Sequence, residues 1–176
     1  MDYSFVIRRA VPEDAPAVHE ILLDAFMHYQ RASHITGPVD ALQETVGDIE
    51  DDIRNKHVFI ALIDSLPVGT MRVAIRQEDR VAYISRLGVK AAYANQGIGK
   101  SMMNLVDKLL MEHHVSRVFL HAAARNGDLI RFYYGRGFYV ESTSLDRGYT
   151  RALMVKDLPE PKPVFGFVSE EEGDDR

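Results

Sequence analysis

The chain lacks cysteine altogether among its 176 residues. Disulfide bonds, thiolate nucleophiles and cysteine-ligated zinc or iron–sulfur sites are therefore excluded. The N-terminal stretch MDYSFVIRRA has no apolar signal core, and no apolar run approaches the roughly 20 residues of a membrane span. These absences are typical of a soluble protein of a reducing compartment, so the sequence predicts a cytoplasmic location without membrane contact.

The chain also lacks an excess of positive charge, with 21 Lys and Arg against 26 Asp and Glu. The formal net charge is −5, and residues 170–176 (EEEGDDR) carry −4 of it, which leaves −1 for the rest of the chain. A nearly neutral body offers no electrostatic basis for binding nucleic acid, so no nucleic-acid partner is expected.

The composition of the chain, with 46% hydrophobic and 27% charged side chains, is that of one globular domain. The hydrophobic period changes along the chain between that of helices and that of strands. It predicts helices over 11–30, 38–56, 98–113 and 127–137, and strands over 4–10, 57–64, 68–76, 80–89, 116–123, 138–144 and 149–158. This order predicts a mixed α+β domain built around one central sheet.

The composition changes after Leu158. The last segment, PEPKPVFGFVSEEEGDDR, has alternating prolines and an acidic end, which is typical of a tail. The sequence therefore divides into a domain over 1–158 and a tail over 159–176. The stretch VFGFV within the tail leaves open docking on a neighbouring subunit in a homodimer.

A glycine-rich loop, YANQGIGKSMM, precedes the helix predicted over 98–113. It is not a Walker loop, because Ala94 stands where the first glycine is required, and Met102 stands where a dinucleotide fingerprint needs its third glycine. Gly97 and Gly99 still let a ligand approach the backbone, and the amides of 95–100 are free donors at a helix start. The loop is therefore either an anion site or a plain glycine turn.

A second cluster lies at the short helix predicted over 127–137. The stretch ARNGDLIRFYYGRGF resembles the second signature of the GCN5-related N-acetyltransferases, the GNAT superfamily, through Asn126, Phe132, Tyr133, Gly137 and Phe138. The loop ANQGIG resembles the [RQ]-x-x-G-x-[GA] signature of that family, and MVKDL resembles its final strand. The sequence departs from the pattern at Ala94, where the family usually has Arg or Gln, and has Leu129 at a small-residue position.

The resemblance implies a GNAT-like fold, which is a mostly antiparallel twisted sheet of about seven strands flanked by helices. It implies acetyl-CoA as co-substrate, with the pyrophosphate on the loop amides, the pantetheine arm added like a strand to the fourth strand, and a hydrogen bond from Asn126. The implied cofactor-binding residues are Leu87, Gly88, Val89, Asn95, Gln96, Gly97, Ile98, Gly99, Lys100, Ser101, Asn126 and Tyr133. No HExxH or comparable ligand spacing is present, so no metal is expected.

The activity implied by the resemblance is N-acetyl transfer to a primary amine by direct attack in a ternary complex. Tyr133 stands at the position of the family's usual general acid, which protonates the departing thiolate. The base stays open. Tyr83 occupies the place of the glutamate that some members carry on the fourth strand. Three alternatives are left for the base: a water molecule held by Ser85, the side chain of His121, or no base at all.

The acceptor also stays open in the sequence. The acidic segment ETVGDIEDD (44–52) favours either a cationic amine or an ordinary solvated face, whereas Arg72, Arg86 and Arg147 favour an acidic substrate. The acceptor is a small molecule or a protein amine, and the acyl chain can be longer than acetyl. An acyl-CoA-binding sensor with little turnover is the alternative function.

Overall fold

The computed structural model describes residues 4–160, which form one seven-stranded sheet and four α-helices. The strands are β1 (Phe5–Arg9), β2 (His57–Ile63), β3 (Leu66–Arg76), β4 (Val81–Val89), β5 (Arg117–Ala123), β6 (Tyr139–Ser144) and β7 (Arg151–Asp157). The helices are α1 (Ala15–Ala32), α2 (Val46–Asn55), α3 (Ile98–Glu112) and α4 (Gly127–Tyr134). The predicted fold class is confirmed.

The sheet has the order β1-β2-β3-β4-β5-β7-β6, and every neighbouring pair is antiparallel except β4 and β5. This exception arises because α3 crosses over between the two strands, a connection that parallel strands require. The parallel ladder joins only Val81–Tyr83 to Arg117–Phe119. Beyond it β4 and β5 run on without pairing to each other, and a gap opens in the sheet.

A β-bulge lies in β4 beside this gap. Thr70 pairs with Gly88 and Arg72 with Ser85, so one residue of β3 opposes two residues of β4. One of those two, Arg86, has a left-handed φ of 54°. A bulge bends its strand and increases the local twist, which fits the divergence of β4 from β5 at this point.

Helices cover both faces of the sheet. On one face Met102, Val106 and Leu110 of α3 are fully buried in the larger core cluster, as the helical spacing in the sequence predicts. On the other face Ile21 of α1 and Ile49 of α2 are fully buried against β2. The sheet is thus a central layer that can open a passage between its two faces only where its own strands part.

The second helix is shorter than the sequence analysis predicts. It was expected over 38–56, but α2 begins at Val46 after a separate 3-10 turn over Asp40–Leu42. The cause is a capping box at Thr45, whose hydroxyl accepts a hydrogen bond from the backbone N–H of Asp48, while the Asp48 carboxylate accepts one from the N–H of Thr45. The segment before Thr45 is thereby free to line the cavity described below.

No helix within residues 4–160 is both long enough and apolar enough to cross a lipid bilayer. Nearly all of the tail predicted over 159–176 lies outside the described residues, so the division into domain and tail stays a prediction.

Candidate active site

A cavity of about 270 Å³ occupies the gap between β4 and β5. Its wall combines residues of α1, the segment 38–41, β4, β5, α4 and the start of β7. Tyr133 belongs to the core cluster on the α3 side, whereas Phe26 packs in the cluster of α1 on the other side, and both line the cavity. The cavity therefore joins the two faces of the sheet.

The edge of β4 beside the gap has free backbone groups. The N–H of Lys90 donates to the carbonyl of Val68 on β3 at 2.8 Å. Backbone polar groups alternate in direction along an antiparallel strand, so those of Val89 point away from β3 and toward the gap. Leu87, Gly88 and Val89 all line the cavity, which places this part of the predicted cofactor-binding set together.

The glycine loop forms the start of α3. Gly97 is the N-cap residue with a left-handed φ of 83°, and no side chain caps the helix. A Cβ built at Gly97 meets no atom within 4 Å, and one built at Gly99 lies 3.6 Å from the ring of Phe132. The first-turn amides are thus open to a ligand, and the positive end of the helix dipole lies beside them.

The predicted cofactor-binding residues fall into two groups. Leu87, Gly88, Val89, Asn126 and Tyr133 line the cavity, and the residues over 95–101 lie outside its lining at the start of α3. The β4 members of the first group and the residues over 95–101 follow one another along the chain, because the 3-10 turn Ala91–Tyr93 connects β4 to the loop. An extended ligand can therefore follow the β4 edge and end at the helix.

The side chain of Asn126 already has two protein partners. Its oxygen accepts from the backbone N–H of Leu129 at 3.2 Å and so caps α4, and its nitrogen donates to the hydroxyl of buried Ser33 at 3.2 Å. One amide hydrogen stays available for a ligand. Asn126 is thus a structural cap as well as part of the cavity wall.

Tyr133 is 5% exposed and packs edge-on against Phe132 and Phe138. Burial raises the pKa of its hydroxyl well above the ordinary range of tyrosine, and nearby Tyr83 adds to that rise. The hydroxyl therefore stays protonated at neutral pH and can only donate or share its proton.

Tyr83 and His121 face each other across the point where the strands part. Tyr83 is the last β4 residue in the parallel ladder, paired with Phe119, and His121 follows two residues later on the same face of β5. The Tyr83 hydroxyl forms a short hydrogen bond with Nδ1 of His121, and both side chains line the cavity.

The protonation of this pair follows from its surroundings. Burial lowers the pKa of His121 below 6.5, as do the charges of Arg151 and Arg147, although Asp146 acts in the opposite direction. His121 is therefore neutral at pH 7. A neutral imidazole bonded in this way can accept the proton of Tyr83, and Tyr83 can in turn receive a proton from a molecule in the cavity.

Arg72 and two residues of the acidic segment 44–52 form ion pairs with each other. Arg72 is 3% exposed and binds Glu44 at 2.7 Å and Asp52 at 2.5 Å, so it does not line the cavity. The acidic helix α2 does not line it either. Arg72 and the carboxylates of α2 therefore lie outside the lining of this cavity, and their contact with an acceptor stays a prediction.

Comparison with known sequences matches residues 16–138 to the acetyltransferase (GNAT) family. The chain belongs to the GNAT family. The matched segment runs from α1 through α4 and contains the glycine loop and the signature over 124–138, whereas MVKDL lies beyond it. No curated protein sequence matches the chain.

Solved structures show the same GNAT fold at low sequence identity. PaiA N-acetyltransferase from Thermoplasma acidophilum, in complex with coenzyme A, aligns with a TM-score of 0.77 and 20% identity over 88% of this chain and 99% of its own. The ribosomal-protein-S18-alanine N-acetyltransferase of Escherichia coli gives 0.72 and 15% over 93% and 100%. YncA of Salmonella typhimurium, a putative acetyltransferase with acetyl-CoA, gives 0.71 and 14% over 90% and 96%.

The pairing of Tyr83 with His121 is the part of this GNAT site that sequence reasoning missed. From the sequence, His121 is a candidate base by itself, and Tyr83 stands where some family members carry a glutamate. Their contact depends on the register Tyr83 to Phe119 in a short parallel ladder. No local pattern in either segment encodes that register.

Proposed function

We propose that this protein transfers an acetyl group from acetyl-CoA to a primary amine by direct attack in a ternary complex. The observation that carries the proposal is the gap between β4 and β5, which has a free β4 edge on the way to the uncapped start of α3 and the Tyr83–His121 pair within it. Coenzyme A or acetyl-CoA is present in two of the structures of the same fold.

Acetyl-CoA would bind along this path from the cavity to the helix. Its pyrophosphate accepts hydrogen bonds from the amides over 95–100, where the helix dipole favours an anion. Its pantetheine arm pairs with the backbone of Leu87 and Val89 as an added strand. The available amide hydrogen of Asn126 binds the same arm. This arrangement places the thioester in the cavity.

The reaction forms a C–N bond and breaks the C–S bond of the thioester. A backbone N–H near Val89 stabilises the developing oxyanion. The departing sulfur receives a proton from the hydroxyl of Tyr133. The amine loses its proton to the oxygen of Tyr83 while the proton of Tyr83 moves to Nδ1 of His121. Acid and base are thus different groups of the same cavity.

An acyl-CoA-binding sensor with little turnover is the second candidate. Two features favour it: β4 carries no carboxylate, and Ala94 replaces the usual Arg or Gln of the loop. The Tyr83–His121 pair argues against it because a pure binding protein has no need of a proton acceptor at this point.

A thiol-release assay with acetyl-CoA and a panel of amines tests the proposal. Amino acids, polyamines, aminoglycosides and peptides provide the range of acceptors, and calorimetry with acetyl-CoA measures binding separately. Acetylation of one class confirms the transferase. Binding without turnover for all acceptors favours the sensor, and absence of acetyl-CoA binding contradicts both.

A further inference from the structure

The charged side chains that line the cavity are mostly arginines. Arg86, Arg147 and Arg151 line it, and Asp40 is the one acidic residue of the described chain that does so. The segment 38–41 brings Asp40 to Arg147, with which it forms an ion pair. The lining itself therefore holds more guanidinium groups than carboxylates, while Glu44 and Asp146 pair with Arg86 and Arg151 from outside it.

Arg151 is the least satisfied of these three guanidinium groups. Its side chain is 14% exposed, and its Nη2 reaches Asp146 only at 3.4 Å. Its Nε is buried without a hydrogen-bond partner. A buried guanidinium N–H without a partner is unfavourable, and Asp146 is itself 61% exposed. A small rotation of the guanidinium allows an anion in the cavity to replace this weak pair.

The other two arginines have carboxylate partners that differ in burial. Arg86 lies 3.2 Å from Glu44, a carboxylate that is 14% exposed and also binds Arg72. Arg147 pairs with Asp40, and both side chains are about half exposed. Arg147 is thus able to turn toward a ligand, whereas Arg86 belongs to a buried charge cluster.

These arginines act electrostatically on the reacting groups. Burial raises the pKa of Tyr83, and the charges of Arg151, Arg86 and Arg147 oppose that rise. Arg151 and Arg147 also act on His121. The point at which the acceptor amine would lie is therefore within reach of these guanidinium charges, and Arg151, whose carboxylate partner is the weakest, is the one most able to attract an anionic group of the acceptor.

We propose that the acceptor carries a carboxylate close to its reacting amine, as a free amino acid does, and that Arg151 binds that carboxylate with assistance from Arg147. This inference rests on the proposed function. An arginine is suited to the role because its planar fork binds a carboxylate through two parallel hydrogen bonds. The carboxylate also provides the partner that Nε of Arg151 lacks.

Matched acceptors test the inference: an amino acid, its C-terminal amide, and the corresponding amine without the carboxyl group. The wild-type protein should acetylate the carboxylate form with a kcat/KM at least about tenfold higher than the other two. Arg151→Gln should lose this preference and Arg151→Lys should keep part of it. Arg54→Gln, at an exposed ion pair on α2 outside the cavity, should keep all of it.

Arg147→Gln provides a second variant in case Arg151→Gln fails to fold, and it should reduce the preference without abolishing it. Equal or better turnover of the amide or of a polyamine would overturn the inference and leave the proposed function intact. If no amine is acetylated, the proposed function fails by itself. Calorimetry of the amino acid and its amide in the presence of CoA then decides the inference, since equal affinities would refute it.

Discussion

The ring and the hydroxyl of Tyr133 have different surroundings, so the role of each can be tested separately. Its ring packs against Phe132 and Phe138, whereas its hydroxyl belongs to a side chain that lines the cavity. Tyr133→Phe keeps the ring and removes the proton donor. We expect kcat to fall by about 10²-fold, the low end of general acid catalysis, with little change in the Kd of acetyl-CoA.

The adjacent Tyr134 offers a matched control for that prediction. It is 52% exposed and does not line the cavity, so Tyr134→Phe should keep full activity. Steady-state kinetics under conditions where chemistry limits the rate, together with calorimetry of acetyl-CoA, measure both variants. If Tyr133→Phe kept the wild-type kcat, Tyr133 would be a packing residue only.

His121 should determine the acidic limb of the pH profile. Its pKa is lowered by burial and by two arginines. The neutral form accepts the proton, so the rate should fall as the pH drops through a value below 6.5 and should be level above it. Because the pKa of Tyr133 is raised, Tyr133 should cause no loss of activity below about pH 10.

The measurement is kcat/KM against pH, corrected for the neutral fraction of the acceptor amine. His121→Gln should remove this limb and lower the plateau by about 10²- to 10⁴-fold. His19→Gln, on α1 and outside the cavity lining, is the control and should retain the wild-type profile. An unchanged profile in His121→Gln would show that His121 is not the proton acceptor.

At this scale the sequence predicts residues that belong to local motifs and misses those that meet across strands. Asn126 and Tyr133 lie in one continuous signature, so their shared helix follows from spacing alone. Tyr83 and His121 are distant in the chain and approach each other only through a three-residue ladder. The same holds for Arg72, whose burial by Glu44 and Asp52 depends on how α2 packs on the sheet.

Among the helices, the start of α3 gives the most direct test of cofactor binding. Gly99 is the second residue of α3, and Gly47 is the second residue of α2. Both sites have room for a Cβ, with nearest contacts of 3.6 Å and 3.7 Å. We expect Gly99→Val to weaken acetyl-CoA binding by about tenfold or more, because the new side chain lies where the phosphates approach the amides.

Gly47→Val is the control for a branched side chain in the first turn of a helix. It should cost a similar amount of stability and leave acetyl-CoA affinity unchanged. Calorimetry and thermal unfolding of the two variants separate binding from folding. Equal affinities in wild type and Gly99→Val would place the phosphates elsewhere.

The start of α2 shows that the sequence contained two conflicting signals for a helix boundary, an apolar pattern from residue 38 and a capping box at Thr45. The prediction that a helix begins at residue 38 followed the apolar stripe, which included Leu42. The stretch TVGD contains the capping-box pattern at Thr45 and Asp48, which correctly marks the observed start. The cap was the better signal, because Ala41 and Leu42 pack instead near Ile35, Val39 and Ala123.

For the whole molecule, the number and order of the helices and strands followed from the changes of hydrophobic period along the sequence. The gap between β4 and β5 did not follow from them. The sequence places α3 between β4 and β5 and therefore implies their parallel pairing. The length of that pairing depends on the bulge at Arg86, where β4 turns away. No glycine marks the bulge residue itself, so its left-handed conformation leaves no trace in the sequence.

The tail offers a prediction about the molecule as a whole. Its acidic residues would repel a phosphate-bearing ligand, and it lies beyond the segment that matches the family. A chain that ends at Glu160 should therefore bind acetyl-CoA with the affinity of the full chain. A large loss in calorimetry would show that the tail completes the site, and sedimentation of both forms tests whether it joins two copies.

The gap also bears on how the molecule is held together. Between the four strands from β1 to β4 and the three strands β5, β7 and β6, the sheet is continuous only through Val81–Tyr83. A ligand that pairs with the β4 edge adds bonding at this seam, so the amount of CoA in the surroundings contributes to the stability of the fold. At a concentration one hundred times its Kd, a ligand specific for the folded state adds about 2.7 kcal/mol. Without the cofactor this contribution is absent, and the short ladder over Val81–Tyr83 remains as the strand pairing between the two sub-sheets.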